Sequence, residues 1–408
     1  MQGARCHERR SITPRDVLFG TKALRAFGDG MMSIALAQYA DRLGFSGFEA
    51  GLVASSALVG TSVTTALVGR YVERLGRRRM LWWGALLTIA TGVAYALSSD
   101  LAVLAVVAFA GTVNPTSGDV SAFLPIEQAI LAQETTATNR VGTFARFNVV
   151  GSLAGAAGAL ASGATPALEH LPALGALGAI RVLFVAYSLL GLATLVLTLR
   201  LGPTAELVRG ERRPGLGPNR RRVFTLSGLF ATDAFAGGMI VQSIIALFLF
   251  RKFDLDPAVT GAIFFGTSVL GAVSFLISAR LATRFGLVNT MVFTHLPSNA
   301  LLIGVAFAPG AALAVAFLMA RAMLSQMDVP ARQALVVSVV DPEERAAAAA
   351  YTGLSRSVGS SVGPSIGGAL LGSAASAPFI MAGVLKSAYD LALLALFRNV
   401  STAERPRD

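Results

Sequence analysis

Apolar residues in this chain neither alternate nor form one amphipathic stripe. They come in runs of about twenty residues, the length of helix that crosses the hydrocarbon core of a bilayer, separated by short polar stretches. Twelve such runs lie near 16–41, 47–69, 80–98, 101–132, 141–163, 181–200, 223–250, 257–279, 287–308, 310–337, 346–373 and 376–397. In lipid the backbone must satisfy its own hydrogen bonds, and spanning strands would alternate polar with apolar residues, so the runs predict helices. Start signals agree: Thr13-Pro14 opens the first, Ser46 with Glu49 forms a capping-box pattern for the second, Asp256-Pro257 opens the eighth and Asp341 to Glu344 the eleventh.

The pattern is written twice. At an offset of 210 residues Gly51 matches Gly261, Arg70 matches Arg280, Arg74 matches Arg284, Gly76 matches Gly286 and Arg146 matches Arg356. Residues 201–222, rich in Gly, Pro and Arg, read as a linker between a first six-helix unit, 1–200, and a second, 223–408. Such a repeat is a known transporter plan, with substrate bound near the membrane midplane between the units.

Composition changes the picture only by excluding alternatives. Hydrophobic residues make up 54% of the 408 and charged residues 14%, too apolar for a soluble enzyme of this size. The net charge of +11 is spread over alternate short loops, which suits lipid headgroups and excludes a folded nucleic-acid-binding stripe. With the N-terminus in the cytoplasm, 23 basic residues fall on that side and 4 opposite, so the positive-inside rule predicts both termini cytoplasmic, in a bacterial inner membrane. Cys6 is the only cysteine, and no metal or cofactor is expected. Gly359 to Gly363 reads GSSVG, but within a helical run and without a strand before it; His7, His170 and His295 lie in an end segment, a loop and another helix, so no catalytic triad is expected. There is no phosphate-binding loop.

Between runs two and three, Gly69, Glu73, Arg74, Gly76, Arg77 and Arg78 resemble the signature of the major facilitator superfamily, with Tyr71 for the usual Leu and Glu73 for the usual Asp. The resemblance implies an all-α membrane protein of twelve transmembrane helices in two pseudo-symmetric six-helix bundles. It also implies a cytoplasmic gate at this loop, where Glu73 would face a helix N-terminus and the arginines would hold helix ends and lipid phosphates. The run Gly359 to Gly368 is similar to the family's antiporter signature, though in the eleventh helix and not the fifth, and close glycine packing explains it equally.

Thirteen charges lie inside the runs, each expensive unless it faces a partner or water. Nine fall on runs one, four, seven and ten, which line the central cavity in the resembled family. The candidate cavity set is Arg25, Asp29, Asp119, Glu127, Arg146, Asp233, Arg321, Asp328, Arg332 and Arg356, with aromatic candidates Phe27, Phe123, Phe147, Phe235 and Tyr351. Spacing predicts pairs within a helix for Arg25 with Asp29 and for Lys386 with Asp390, and one polar stripe Arg321, Ser325, Asp328, Arg332. Arg146 is the expected partner of Asp119 or Glu127, and Arg321, Arg332 and Arg356 are expected to gather around Asp328. Asn114-Pro115 and Leu124-Pro125 predict kinks near Asp119. The expected function is a monomeric secondary transporter exporting a small amphiphilic solute in exchange for protons. Uptake or exchange of an organic anion, and a non-transporting receptor or scaffold, are the alternatives.

Overall fold

The computed structural model describes residues 13–116, 124–135, 137–206, 217–341 and 344–398. Helices are α1 (Pro14–Arg42), α2 (Gly47–Leu75), α3 (Arg77–Leu97), α4 (Leu101–Ala110), α5 (Leu124–Gln133), α6 (Ala137–Ala161), the short α7 (Thr165–Glu169) and α8 (Gly175–Leu199). The second set is α9 (Arg220–Gly238), α10 (Gln242–Phe253), α11 (Pro257–Phe285), α12 (Leu287–Phe307), α13 (Ala311–Ser325), α14 (Asp328–Ser338), α15 (Arg345–Ser373) and α16 (Ala377–Phe397). All twelve runs are accounted for, because runs four, seven and ten are each laid down as two pieces. Among the described residues nine stretches are long and apolar enough to cross a membrane. The exceptions are the charge-bearing α1, the interrupted fourth span and α15.

Local chemistry sets the ends. Thr13 with Asp16 and Ser46 with Glu49 close full capping boxes on α1 and α2, while Asp100 and Asp256 cap α4 and α11 through their side chains. Gly76 and Gly286, with φ of +85° and +84°, each form the single-residue corner joining one long helix to the next. A side chain is disfavoured at that φ, so the duplicated glycine marks a duplicated joint.

Runs four, seven and ten depart from the single helices that length predicts. The fourth stops at Gly111, ahead of Asn114-Pro115, whose proline lacks a donor. The seventh opens after Gly237-Gly238 at Met239 to Val241. The tenth breaks at Gln326 and Met327, since Pro330 fits only the first turn of a new helix. Freed backbone groups find partners: Ser278 Oγ donates to the Met327 carbonyl at 2.5 Å, and the Ser243 N–H donates to the Pro115 carbonyl at 3.3 Å, joining the fourth and seventh breaks.

The core lies inside each bundle and between the two. Tyr39 and Tyr95 meet Phe184 edge-on at 5.0 and 5.4 Å in the first bundle, and Phe230 packs with Tyr389 and Leu393 in the second. Ile34, Leu58 and Ala159 join Ile244, Phe248 and Ile263 across the bundle interface. Large apolar side chains such as Leu97 and Phe307 point outward, at 79% and 70% exposure, and lipid is the medium that makes this stable.

The bundles press together on the face opposite the chain termini. A Cβ on Gly51 would overlap the Pro364 carbonyl, and one on Gly368 the Gly47 carbonyl, so α2 and α15 touch backbone to backbone. Ser55 and Ser365 hydrogen-bond at 2.8 Å beside that contact. Toward the loops, Arg251 pairs with Asp41 at 3.0 Å and donates to the Phe45 carbonyl at 2.6 Å.

Candidate functional site

In the first bundle, Arg25 on α1 reaches across to Glu127 on α5, Nη2 to Oε2 at 2.6 Å, with Glu127 fully enclosed. This corrects two expectations: Arg25 does not pair with Asp29, and Glu127 is not served by Arg146. Among the described residues Arg146 makes no ion pair and is exposed. A short carboxylate one turn away loses Arg25 to a longer one that approaches head-on from the next helix. Asp29 instead accepts a hydrogen bond from Asn114, in the break of the fourth span, whose Oδ1 is held by Thr116 at 2.6 and 2.8 Å. Arg25, Asp29 and Glu127 border a hollow of about 40 Å³, shared by Thr88, Thr112 and Tyr187 and by apolar Leu24, Leu81 and Leu190, large enough for water. Asp119 and Phe123 lie outside the described residues.

In the second bundle, Asp233 on α9 collects three cations: Lys386 at 2.6 Å, Arg356 at 3.0 Å and Arg332 at 3.7 Å. Arg332 also pairs with Asp328 at 2.7 Å. The expected Lys386–Asp390 pair is therefore absent, and the arginines gather around Asp233 more than Asp328. Asp390 turns to α12, where His295 Nδ1 lies 3.0 Å away and Asn299 donates at 2.8 Å. His295 and Asn299, one turn apart on an apolar helix, were not among the candidates, although that spacing was the available signal.

The predicted stripe on run ten is divided by its break. Asp328 and Arg332 serve the Asp233 cluster, while Arg321 and Ser325 line a separate cavity of about 280 Å³ between the bundles. That cavity is open to Thr116 and Ser152 from the first bundle and to Gln242, Gln326 and Phe264 from the second. The aromatic candidates lie elsewhere: Phe147 is buried against Phe19, Tyr351 meets Phe224 edge-on, and Phe27 and Phe235 pack onto the cores.

At the loop resembling the signature, Gly76 makes the corner and Glu206 in the linker accepts the Arg77 N–H at 2.8 Å, capping α3. The Arg77 guanidinium donates to Gln133 at 2.6 Å, and Arg78 lies over Trp82. Arg74 and Arg78 border a surface hollow with Glu206. A cation above an aromatic ring and a carboxylate on a helix N-terminus are both favourable there. The cap on α3 comes from Glu206; the Glu73 side chain lies outside the described part, and Gly69 faces open space.

Known proteins share this architecture. The family model for the Major Facilitator Superfamily matches residues 18–326 and again 229–408. An uncharacterized membrane protein, YJR124C of Saccharomyces cerevisiae, is 24% identical over 424 residues, covering 95% of each chain. The crystal structure of the nucleoside transporter NupG superposes with a TM-score of 0.70 at 15% identity, covering 94% of this chain and 98% of that one. A bacterial homolog of the human lysosomal transporter Spinster, solved inward-facing and unoccupied, gives 0.67 at 13% identity, covering 96% of each. Twelve helical spans in two packed bundles, the duplicated glycine corner and a match over nearly the whole sequence lead to one conclusion: this chain belongs to the Major Facilitator Superfamily and is an integral membrane transporter, not an enzyme.

Proposed function

We propose that the chain carries a small amphiphilic organic solute out of the cell across the plasma membrane in exchange for protons, with both termini cytoplasmic. The solute occupies the cavity between the bundles, and the bundles rock about it to expose it to alternate sides. One observation carries the coupling: Arg25 is engaged by Glu127 while a second buried carboxylate, Asp29, waits one turn away, hydrogen-bonded to Asn114 and within the field of Arg25 and Lys22. If rocking moves Arg25 from Glu127 to Asp29, Asp29 gives up its proton as it gains the cation and Glu127 takes one up as it loses it, so a cycle that exposes the two carboxylates to opposite sides carries a proton across. Outward direction draws on the glycine-proline run of α15, similar in pattern to an antiporter signature.

The test uses purified protein in liposomes that enclose a pH-sensitive dye, with a solute screen that includes nucleosides because NupG is a nucleoside transporter. Solute entering should drive protons out, and a pH gradient should drive accumulation. Asp29→Asn and Glu127→Gln should abolish gradient-driven accumulation yet keep solute counterflow, since Arg25 retains one carboxylate in each. Full gradient-driven transport in both variants would overturn the coupling, and protons moving with the solute would overturn exchange.

A further inference from the structure

The cavity between the bundles is unbalanced in charge. Arg321 lines it, and among the described residues no Asp or Glu does so or lies within ion-pair distance of Arg321. Its Nε is buried without a hydrogen-bond partner. The cations nearby do not behave this way: Lys386, Arg356 and Arg332 are all drawn onto Asp233, and Arg332 also onto Asp328. Among the described residues lining this cavity, Arg321 is a positive charge without a carboxylate partner.

A second donor points to the same space. Gln242, the first residue of α10, lines the cavity and has its Nε2 buried and unpartnered. It sits at the N-terminus of a twelve-residue helix that has no side-chain cap. That terminus carries partial positive charge, but its Ser243, Ile244 and Ile245 N–H groups are taken by the Pro115 and Val241 carbonyls, so the Gln242 side chain is the donor it offers the cavity. Two buried donors without a hydrogen-bond partner, Arg321 Nε and Gln242 Nε2, thus belong to residues lining one cavity, where a fold would ordinarily place an acceptor. The rest of the lining includes apolar Ile240, Ile245, Phe264 and Leu318, with Leu318 one turn from Arg321 and Ile245 one turn from Gln242.

We infer that the transported solute is an amphiphilic carboxylate, its carboxylate held by Arg321 and Gln242 and its apolar part lying on Phe264 and Leu318. This rests on the transport reading above and names the solute class for it. A bidentate guanidinium fork matches a carboxylate, and the missing protein counter-ion is then supplied by the solute itself. A partly buried guanidinium without a counter-ion is costly to the empty protein, so the site trades stability for affinity.

The experiment measures binding to the purified full chain by calorimetry, using hexanoate, octanoate and phenylacetate, each against its primary amide. Wild type should prefer each acid over its amide by about tenfold or more, the size of a hydrogen-bonded charge contact. Arg321→Gln should lose that preference, Arg321→Lys should keep part of it, and Gln242→Leu should weaken acids more than amides. Arg321→Gln should melt at the same temperature as wild type or higher, because it leaves no partner stranded; this checks that lost binding is not lost folding. Equal binding of acids and amides by wild type, an undiminished preference in Arg321→Gln, or no saturable binding of any probe would overturn the inference. Discrimination by Arg321 without proton-coupled flux would count against the transport reading alone. Proton-coupled transport of solutes with no acid preference would count against this inference alone.

Discussion

Asp233 is enclosed beneath Lys386, Arg356 and Arg332, and its charge keeps three cations in lipid-depth surroundings. Removing one member of such a group leaves the others uncompensated, which costs about 3–5 kcal/mol where it has been measured in buried pairs. Asp233→Asn should therefore lower the melting temperature in detergent far more than Arg321→Gln, although both delete one buried charge. Adding Lys386→Met to Asp233→Asn should recover part of the loss, because the pair acts as a unit; strictly additive effects of the two would contradict the cluster. The sequence shows which residues are ionisable and that most sit on four spans. It does not show partners, because the i, i+4 spacing that offered Asp29 to Arg25 and Asp390 to Lys386 competes with carboxylates more than a hundred residues away, Glu127 for Arg25 and Asp233 for Lys386. Longer-range partners won at Arg25 and Lys386, whereas Arg332 keeps its i, i+4 partner Asp328 at 2.7 Å with Asp233 farther off at 3.7 Å, and only the folded chain decides which outcome holds.

Helix count, caps and the glycine corners were legible because each depends on residues within one or two turns of one another. The interruptions were less so. Pro115 announced the fourth, but the tenth required weighing Pro330 against an uninterrupted apolar run, and the seventh rests on Gly237-Gly238, which other membrane helices accommodate unbroken. The linker's attachment to α15 was also out of reach: Glu344 accepts from Asn219 Nδ2 at 2.7 Å and from the Gly217 N–H, tying residues beyond the linker's centre to the start of the eleventh span. The hydrogen bond from Asn219 is the main reason the Glu344 carboxyl is held below the usual glutamate range. A depressed folded-state pKa means that this tie stabilises the protein in full above the ordinary glutamate value and is lost as pH falls through the lower one. The melting-temperature gap between wild type and Glu344→Gln should hold steady from about pH 7 to about pH 6 and close below about pH 4. A gap that does not change with pH would show that the carboxylate's charge is not what holds the linker there.

At the scale of the whole molecule, the sealed face is held by two kinds of contact with very different reach. Arg251 and Asp41 are each about one-third exposed, at 33% and 38%, and such a pair contributes at most about 1 kcal/mol, roughly a fivefold shift between conformations. The glycine contacts act sterically: Gly51 on Pro364 and Gly368 on Gly47 leave no room for any side chain while the face is shut. A two-state rocking protein should therefore respond unequally. Gly51→Leu should exclude the sealed arrangement and populate the one in which this face is parted, whereas Arg251→Ala should shift the balance only slightly. Spin labels at Leu171 and Pro309, exposed loop positions of opposite bundles on this face, report the separation in a Cys6→Ser background. The distance distribution should move outward in Gly51→Leu and stay close to wild type in Arg251→Ala. An unmoved distribution in Gly51→Leu would mean that α2 and α15 do not part when the transporter works, and the cavity would then need another route to the sealed side.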